Sequence, residues 1–520
     1  MNEVTRRNFM KAAGATAGVA IATGYNPLSY AQNEKVRVGC IGTGGQGNFH
    51  LGDGIWGADQ IDVVAVADVY EPHQKGGALR GWLANAQVTL EGGKPTPEQM
   101  AKLKAVTKPT AYYDYKEMIE KEELDAVIIA TGLTQHYEPT MYALDQGLYV
   151  FCEKTMCFEI EHARDIVKKA NEKGLFVQVG HQRRYNPNYN LAMKRFKEEN
   201  WLGRINHMEM QWHRNAAGRR VIDTDYVYND MEKQFIKTDL DHHLNWRLYE
   251  ETSGGLFTEL LTHSVDIANW FAGTLPSRVY CTAGTDYWRD GRTVADNISV
   301  MYDYDISRKE GTFINIDGRN EYQDFNKINK PYTVRCFYSS ILANAKRGAG
   351  ETFMGDKAAI DLTEADGCWF TQEPWATPLS DEEKAEKQAI LDAFAEETKE
   401  MSKAEREAYK ISSGLSRKLG NSAVDGAQLF AAVGSETTAD VHQFNAFAEC
   451  VKSGVKPRTN EMVGLDATIV SVSARIASKT GGVVEIDPAW SEFDFETPSA
   501  IDYDKDVQAM DLPMEEPAKA

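Results

Sequence analysis

Short apolar runs alternate with amphipathic segments through the first third of the chain. The runs that are apolar at nearly every position are Val36–Ile41, Ile61–Ala67, 125–130, Tyr149–Cys152 and 176–179. Such runs are typical of parallel strands that are covered on both faces. The segments with helical periodicity between them are Tyr115–Lys121, 139–146 and 162–173. Strands that alternate with helices at this spacing predict an α/β fold with a doubly wound parallel sheet.

The pattern changes after about residue 185. Residues 205–212 and 297–304 alternate between apolar and polar positions, which predicts strands of a more open, mixed sheet. Helical periodicity returns at 255–271, 437–452 and 461–480. The densely charged stretch 380–411 predicts a solvated surface helix within an insertion at about 378–420.

The glycine-rich segment 42–47, Gly-Thr-Gly-Gly-Gln-Gly, lies between the first predicted strand and a predicted helix. The next strand ends at Asp68, 21 residues past Gly47. This arrangement predicts a dinucleotide site, in which the turn and the helix N-terminus receive a pyrophosphate and Asp68 receives the ribose hydroxyls. A carboxylate repels a 2′-phosphate, so NAD is favoured over NADP, although a cation could still fold in from the 71–108 insertion. A purely structural glycine turn is the alternative.

These patterns predict two α/β domains. A dinucleotide-binding Rossmann domain spans 32–185, and a second α/β domain with the strands of a more open mixed sheet, expected to bind the substrate, spans 186–496. An acidic tail follows at 497–520. The predicted cofactor residues in the glycine turn are Gly42, Gly44, Gly45, Gln46 and Gly47.

Two further clusters carry candidate chemistry. Glu153 and Lys154 end a parallel strand, where side chains face the ligand crevice, although a surface ion pair is equally consistent. Glu259, His263 and Asp266 follow the i, i+4, i+7 spacing of one helix face. A buried histidine flanked by carboxylates can take a proton from a sugar hydroxyl, whereas the alternative is a hydrogen-bonded core histidine.

These motifs, in this order, resemble the Gfo/Idh/MocA oxidoreductase family. The matching pieces lie at 36–47, 65–68, 130–136, 152–155, 179–187 and 254–266, and the stretch 442–482 is also similar. The resemblance implies that Lys154 contacts the nicotinamide ribose and the substrate, that His263 is the acid/base, and that Glu259 orients it. The sequence departs from the family motifs at Thr155, where the family has proline, and at Glu259, where it has aspartate.

The resemblance also implies further cofactor and substrate residues. The cofactor cleft is expected to include Thr131, His136, Glu153 and Gln182. The substrate is expected to meet Arg184, Tyr185 and Asp266, together with polar and aromatic residues of two later segments, His213, Asn245, Trp246 and Arg247. No metal is predicted, because adjacent residues such as Asp241, His242 and His243 rarely ligate one ion together.

The charge and the N-terminus set the expected surroundings. The net charge of −20 argues against nucleic acid and against anionic membranes as partners. Arg6 and Arg7 precede a short apolar run and small residues that suit cleavage, so residues 1–31 predict a twin-arginine signal peptide, a periplasmic protein and no stable membrane anchor. Tightly bound NAD fits this route, since the route carries folded proteins, and the family suggests a homo-oligomer.

Three functions remain open at this point. The first is an NAD-dependent dehydrogenase acting on a hydroxyl of a sugar or glycoside. The second is a redox-neutral glycosidase that oxidises C3 transiently, eliminates the aglycone and returns the hydride. The third is a sugar-sensing module without catalysis, which the presence of Lys154 and His263 disfavours.

Overall fold

The computed structural model describes residues 35–90, 94–199, 201–306, 332–363, 367–373, 381–403, 405–406, 409, 427–430 and 436–493. The predicted signal peptide and the predicted acidic tail lie outside these residues.

The first sheet has six strands in the order β3-β2-β1-β4-β5-β6. Its strands are β1 (Val36–Ile41), β2 (Ile61–Ala67), β3 (Thr110–Tyr112), β4 (Ala126–Ile129), β5 (Tyr149–Cys152) and β6 (Val177–Val179). Every pair in it is parallel. The chain leaves β1 toward β2 on one side and returns to β4 on the other, so a crevice opens at the carboxyl ends of β1 and β4.

Helices cover both faces of this sheet. They are α1 (Gly45–Phe49), α2 (Ile55–Gly57), α3 (Glu71–Asn85), α4 (Pro97–Lys104), α5 (Tyr115–Lys121), α6 (Tyr137–Asp145) and α7 (Ile160–Lys173). A π-helical turn at His50–Gly54 joins α1 to α2. The predicted insertion at 71–108 consists mainly of α3 and α4. Gly174 ends α7 in the left-handed conformation at φ 63°, as its position after a helix predicts.

The second sheet has nine strands in the order β14-β13-β12-β11-β7-β10-β9-β8-β15. Its strands are β7 (Ile205–His213), β8 (Arg278–Gly284), β9 (Asn297–Ile306), β10 (Tyr332–Ile341), β11 (Ala349–Gly355), β12 (Ala358–Thr363), β13 (Gly367–Gln372), β14 (Ala427–Phe430) and β15 (Val484–Glu485). The pair β7–β10 is parallel and the other pairs are antiparallel. The predicted α/β fold, with a Rossmann sheet followed by a large mixed sheet, is therefore confirmed.

The remaining helices follow β6 in the chain. They are α8 (Pro187–Glu199), α9 (Glu232–Phe235), α10 (Leu240–Leu244), α11 (Thr262–Ala272), α12 (Asp381–Glu397), α13 (Glu436–Ser453) and α14 (Glu461–Thr480). Although α13 comes late in the chain, its Phe444 packs on Phe151 of β5 with ring centroids 4.8 Å apart. One hydrophobic core therefore runs through both halves of the molecule.

Candidate active site

The glycine turn needs its glycines for steric reasons. Gly42 has φ +81°, and a Cβ there would lie 2.8 Å from the carbonyl group of Ala130. A Cβ on Gly47 would collide with the carbonyl oxygen of Gly42. The turn therefore keeps β1, β4 and α1 in close contact at the crevice, and it leaves its backbone open to a ligand.

Asp68 lies beside this turn at the end of β2. Its carboxylate accepts hydrogen bonds from the backbone N–H groups of Thr43 (2.8 Å) and Tyr70 (2.9 Å). Burial raises the pKa of Asp68, and these hydrogen bonds oppose that effect. An ionised carboxylate accepts about four hydrogen bonds, so Asp68 retains capacity for ribose hydroxyls. The turn and Asp68 thus fit the adenosine and pyrophosphate portion of NAD.

The other predicted cofactor residues lie after β4, on α1 and after β6. Thr131 lies against Gly42, and Gln46 lies on α1 with its side-chain nitrogen 3.5 Å from the His50 ring. His136 is buried and its ring nitrogens lie 3.0 Å from the Thr155 carbonyl oxygen and 3.3 Å from the Thr131 carbonyl oxygen. His136 therefore ties together the loops that follow β4 and β5. Gln182 is half-buried and opens a short 3₁₀ turn after β6.

Glu153 and Lys154 follow β5 at the same edge of the sheet. The ammonium group of Lys154 donates a hydrogen bond of 3.0 Å to the carbonyl oxygen of Glu259, which lies just before α11. The peptide bond between Lys154 and Thr155 is cis. Burial lowers the pKa of Lys154, and the carboxylates of Glu259 and Glu153 oppose that effect.

His50 is a site residue that the sequence did not reveal. Its Nε2 lies 2.6 Å from Glu153 Oε1, and both side chains are buried. Burial acts to lower the pKa of His50, but Glu153 raises it above its ordinary value, while His50 holds the pKa of Glu153 below its ordinary value despite burial. This buried ion pair connects the helix after the glycine turn to the Lys154 loop. The sequence signal would have been a histidine three residues past Gly47.

His263 lies on α11 beside Trp212 of β7, with ring centroids 5.1 Å apart. Its Nδ1 has no hydrogen-bond partner among the described residues. Burial lowers the pKa of His263 well below 6.5, and the positive charges of Lys154, Arg183 and Arg214 lower it further. The imidazole is therefore neutral at neutral pH and can accept a proton.

The expectation that carboxylates of its own helix flank His263 is wrong. The Glu259 carboxylate accepts a hydrogen bond of 2.7 Å from Nε of Arg247 instead. The reason is that Phe257–Leu261 forms a π-helical turn, and its wider i to i+5 turn takes Glu259 out of α-helical register with His263. Burial acts to raise the pKa of Glu259, but Arg247 and Lys154 hold it below its ordinary value.

Three residues expected to meet substrate are engaged with the protein itself. The guanidinium of Arg184 donates two hydrogen bonds of 3.0 and 2.8 Å to Oδ1 of Asp266, and both residues are buried. The hydroxyl of buried Tyr185 is 3.1 Å from that of Thr459. These contacts hold the loop after β6 against α11 and the segment before α14, and the contact of these residues with substrate stays a prediction.

His213 is likewise misplaced by the sequence reasoning. Successive side chains of a strand point to opposite faces, so Trp212 faces His263 and His213 faces away. The His213 ring lies 2.6 Å from the Lys346 carbonyl oxygen and 2.9 Å from the Ser339 hydroxyl. Trp212 is therefore the β7 side chain at the site.

The predicted substrate residues Asn245, Trp246 and Arg247 take different positions relative to the crevice. Asn245 is buried, and its side-chain oxygen accepts a hydrogen bond of 2.6 Å from the backbone N–H of Arg220. Trp246 packs against Gly132, next to the loop after β4, and the Arg247 guanidinium lies 4.3 Å from the centre of its ring. Trp246 and Arg247 thus border the crevice, whereas Asn245 supports a neighbouring loop.

Several cationic side chains lie around this crevice, together with the carboxylates of Glu153 and Glu259, although the chain as a whole carries −20. Arg247 and Arg214 both act on the pKa of Lys154, and Arg247 acts on that of Arg220. The described residues contain no cluster of three or more His, Cys, Asp or Glu side chains that could hold a metal ion. None of their helices has the length and apolar character needed to cross a membrane.

A parallel sheet with a glycine turn and an acidic residue at the next strand end defines a Rossmann dinucleotide-binding domain. The model of the GFO_IDH_MocA oxidoreductase family with an NAD-binding Rossmann fold matches residues 36–181, and that of the GFO/IDH/MocA C-terminal domain matches residues 190–309. The chain belongs to this family of oxidoreductases, and its first domain binds NAD.

Curated relatives include dehydrogenases and a hydrolase. The chain is 26% identical over 215 residues to an inositol 2-dehydrogenase/D-chiro-inositol 3-dehydrogenase of Lactiplantibacillus plantarum, covering 41% of this chain and 53% of that one. It is 28% identical over 168 residues to a glycosyl hydrolase family 109 protein of Stenotrophomonas maltophilia, covering 32% and 33%. The chain spans about half, or less, of the length of these relatives.

A solved structure of levoglucosan dehydrogenase in complex with NADH has the same fold. Its TM-score is 0.56 at 14% identity, and the match covers 87% of this chain and 100% of that one.

Proposed function

We propose that the protein is an NAD-dependent dehydrogenase that oxidises a hydroxyl group of a sugar or glycoside. The observation that carries the proposal is the contact between Lys154 at the sheet edge and the backbone of Glu259, one turn before His263 (3.0 Å). Through this contact an ammonium group and a neutral imidazole share one crevice beside the glycine turn. The curated dehydrogenase relative, which is named for an inositol substrate, supports a polyhydroxylated substrate.

Cofactor binding, proton transfer and charge stabilisation belong to different residues of the chain. The glycine turn and Asp68 would hold NAD, which when bound supplies a hydride acceptor at a carbinol carbon. His263 takes the hydroxyl proton, since its ring is neutral and its Nδ1 has no partner among the described residues. Lys154 stabilises the negative charge that develops on the same oxygen. The half-buried indole of Trp212 lies beside His263, with the guanidinium groups of Arg183 and Arg214 each 4.9 Å from the centre of its ring, and can contact a sugar there.

A redox-neutral glycosidase is the second candidate. The similarity to the glycosyl hydrolase family 109 protein, 28% identity over 168 residues, supports this second candidate. In this reaction the aglycone is eliminated after C3 is oxidised, water adds at C1, and the hydride removed from C3 then returns to C3, so no net oxidation occurs.

A mass balance separates the two. Purified protein is incubated with a panel of sugars and aryl glycosides, and released aglycone, oxidised sugar and absorbance near 340 nm are measured together. Oxidised sugar formed in step with NADH supports the dehydrogenase. Aglycone release without NADH supports the glycosidase, and the absence of both contradicts the proposed activity. His263→Asn serves as the control without the proton acceptor.

We also propose export by the twin-arginine route to the periplasm, with NAD retained and recycled in place. Arg6 and Arg7 support this proposal. A homo-oligomer built on the nine-stranded sheet is proposed as well, and its support is the resemblance to the family. Light scattering that shows a monomer at micromolar concentration contradicts the oligomer.

A further inference from the structure

The segment 214–250 leaves β7 and folds back onto the dinucleotide-binding domain. We call it the arm. Its anchor is the buried carboxylate of Glu232, which accepts hydrogen bonds from the Tyr226 hydroxyl (2.6 Å) and from the backbone N–H of Glu71 (2.9 Å). Glu71 is the first residue of α3, three positions past Asp68. The arm is thus fastened to the Rossmann domain next to the proposed ribose site.

Aromatic packing strengthens this attachment. Tyr70, next to Asp68 in the turn before α3, packs against Tyr226 of the arm with ring centroids 5.1 Å apart and against His243 at 5.8 Å. The side chain of Asn229 also donates a hydrogen bond of 3.1 Å to the hydroxyl of Tyr113. Contacts of both polar and apolar kinds therefore hold the arm in one position.

Arg220 of the arm lies over the glycine turn. A Cβ built on Gly45 would collide with Nη2 of Arg220, so the guanidinium touches the backbone of the turn. Burial and the charge of Arg220 together lower the pKa of His73 to about 4, and the His73 ring lies over the neighbouring Gly44. The side chain of Asn245 fixes the main chain of Arg220 on both sides, through its N–H (2.6 Å) and its carbonyl oxygen (3.3 Å).

The charge of Arg220 has no carboxylate partner within the described part of the chain. Its neighbour Arg219 differs, since it pairs with Asp241 at 2.6 Å and with Asp290 at 3.6 Å. The charged group that acts on the pKa of Arg220 is another cation, Arg247, which lowers it. A guanidinium that is held over a glycine turn and has no carboxylate partner among the described residues is arranged to receive an anion.

We infer that Arg220 binds the pyrophosphate of NAD and that the arm thereby holds the cofactor from the side of the second domain. In this class of fold the pyrophosphate lies at the glycine turn, and the guanidinium is already there. Release of NAD then requires the arm to lose its charge-assisted hydrogen bonds. The inference rests on NAD binding and not on which sugar reaction the protein performs.

The test compares Arg220→Gln with Lys237→Gln. Lys237 is an exposed cation of the same arm whose ammonium group contacts only the Lys233 carbonyl oxygen in the described structure, so both variants lose one positive charge. Calorimetric titration of cofactor-free protein with NAD, ADP-ribose and adenosine gives three dissociation constants for each variant. The NAD bound per chain after purification is measured in parallel.

Loss of charge-assisted hydrogen bonds to the pyrophosphate is expected to weaken NAD and ADP-ribose about 10- to 100-fold in Arg220→Gln, and to leave adenosine unchanged. Arg220→Lys should fall between this variant and the wild type. Lys237→Gln should bind all three as the wild type does and should retain its NAD.

Two results overturn the inference. The first is an Arg220→Gln affinity for ADP-ribose within about two-fold of the wild type. The second is an equal loss for adenosine, which would mean that Arg220 shapes the arm and does not touch the pyrophosphate. If NAD binding follows the expected pattern but no sugar is turned over, the proposed function fails and the role of Arg220 stands.

Discussion

His263 is a proton acceptor surrounded by positive charge. Lys154, Arg183 and Arg214 each lower its pKa, while the carboxylates of Glu259 and Asp266 pair with Arg247 and Arg184. A neutral imidazole is ready to accept a proton, but the imidazolium is disfavoured until negative charge develops nearby. Substrate ionisation supplies such charge, so proton transfer to His263 is coupled to the chemistry at the carbinol.

The pH dependence of kcat/KM should reflect the shifted pKa values of His263 and Lys154. His263 has a pKa well below 6.5, so activity should stay constant through 6.5 and fall only in more acidic solution. The pKa of Lys154 is lowered from 10.5, so the alkaline limb should appear below that value. His263→Asn should reduce kcat about 10²- to 10⁴-fold, the usual contribution of a general base.

Steady-state kinetics across the pH range, with NAD binding as a control for folding, test this prediction. A limb centred near 6.5 that persists in His263→Asn would mean that another group controls the rate.

Adjacent residues on β7 show what residue-level reasoning could and could not decide. The stretch of aromatic and polar side chains indicated a substrate surface, and Trp212 does pack beside His263. The predicted substrate residue was its neighbour His213, whose ring lies on the face of the sheet opposite to Trp212 and contacts the Lys346 carbonyl oxygen and the Ser339 hydroxyl. Which of the two side chains reaches the site depends on which face of β7 packs toward α11. The alternation of side chains along a strand does not determine that face.

At the scale of elements, the pair of His50 and Glu153 joins the glycine-turn helix to the end of β5. The rings of Phe151 and Phe444 pack edge-on against the imidazole, with centroids 5.7 and 5.0 Å away. Both charges are therefore removed from water and depend on each other. The geometry of the cofactor crevice relies on this pair, since Lys154 comes directly after Glu153.

Breaking the pair should be costly. His50→Leu leaves the Glu153 carboxylate buried without its partner, and the free energy of unfolding should fall by about 3 to 5 kcal/mol. The double variant His50→Leu/Glu153→Leu should recover part of this loss, because no uncompensated charge remains. Denaturant unfolding measures both. Equal stability of the single variant and the wild type would show that the pair is not needed.

The same pair predicts a pH window for stability. The pKa of His50 is raised, so its contribution is complete below 6.5 and is lost as the pH rises through the folded value. The pKa of Glu153 is lowered, so its contribution is present above 4.5 and is lost as the pH falls through the folded value. The stability difference between the wild type and the double variant should thus be largest between these two pH values.

Elements with strong periodicity were predictable, and the exceptions have local causes. β1, β2, β5, α5 and α14 have the bounds that their patterns predict. The helix predicted over 255–271 contains a π turn, which no periodicity of 3.6 reveals. Strand β10, with its many polar residues, escaped prediction because its pairing with β7 and β9 makes it a strand.

For the whole molecule, a net charge of −20 contrasts with a cationic crevice. Lys154 of the first domain and Arg247 of the arm are distant in the chain and come close only in the folded state, and Arg220 of the arm lies close to Arg247. A cofactor that is held by both domains must bind before the protein leaves the compartment in which the cofactor is available. The proposed export of a folded chain would satisfy that requirement.

Replacement of both arginines, Arg6→Lys/Arg7→Lys, should therefore keep the protein inside the cell with its NAD content unchanged. Cell fractionation and cofactor release from the purified protein measure the two effects. A variant that still reaches the periplasm would exclude the twin-arginine route.

The sequence by itself determined the class of fold, the dinucleotide turn, Asp68 and the candidate pair of Lys154 and His263. These features follow from local rules, since strand and helix periods, glycine sterics and strand-end positions are set by neighbours in the chain. Only the tertiary structure decided which partner each charged group takes. Glu259 pairs with Arg247, Asp266 with Arg184 and Glu153 with His50, while Arg220 reaches the glycine turn. Coulomb interactions and burial act through space, and the distances that govern them are fixed by how β7, α11 and the arm pack onto the first domain.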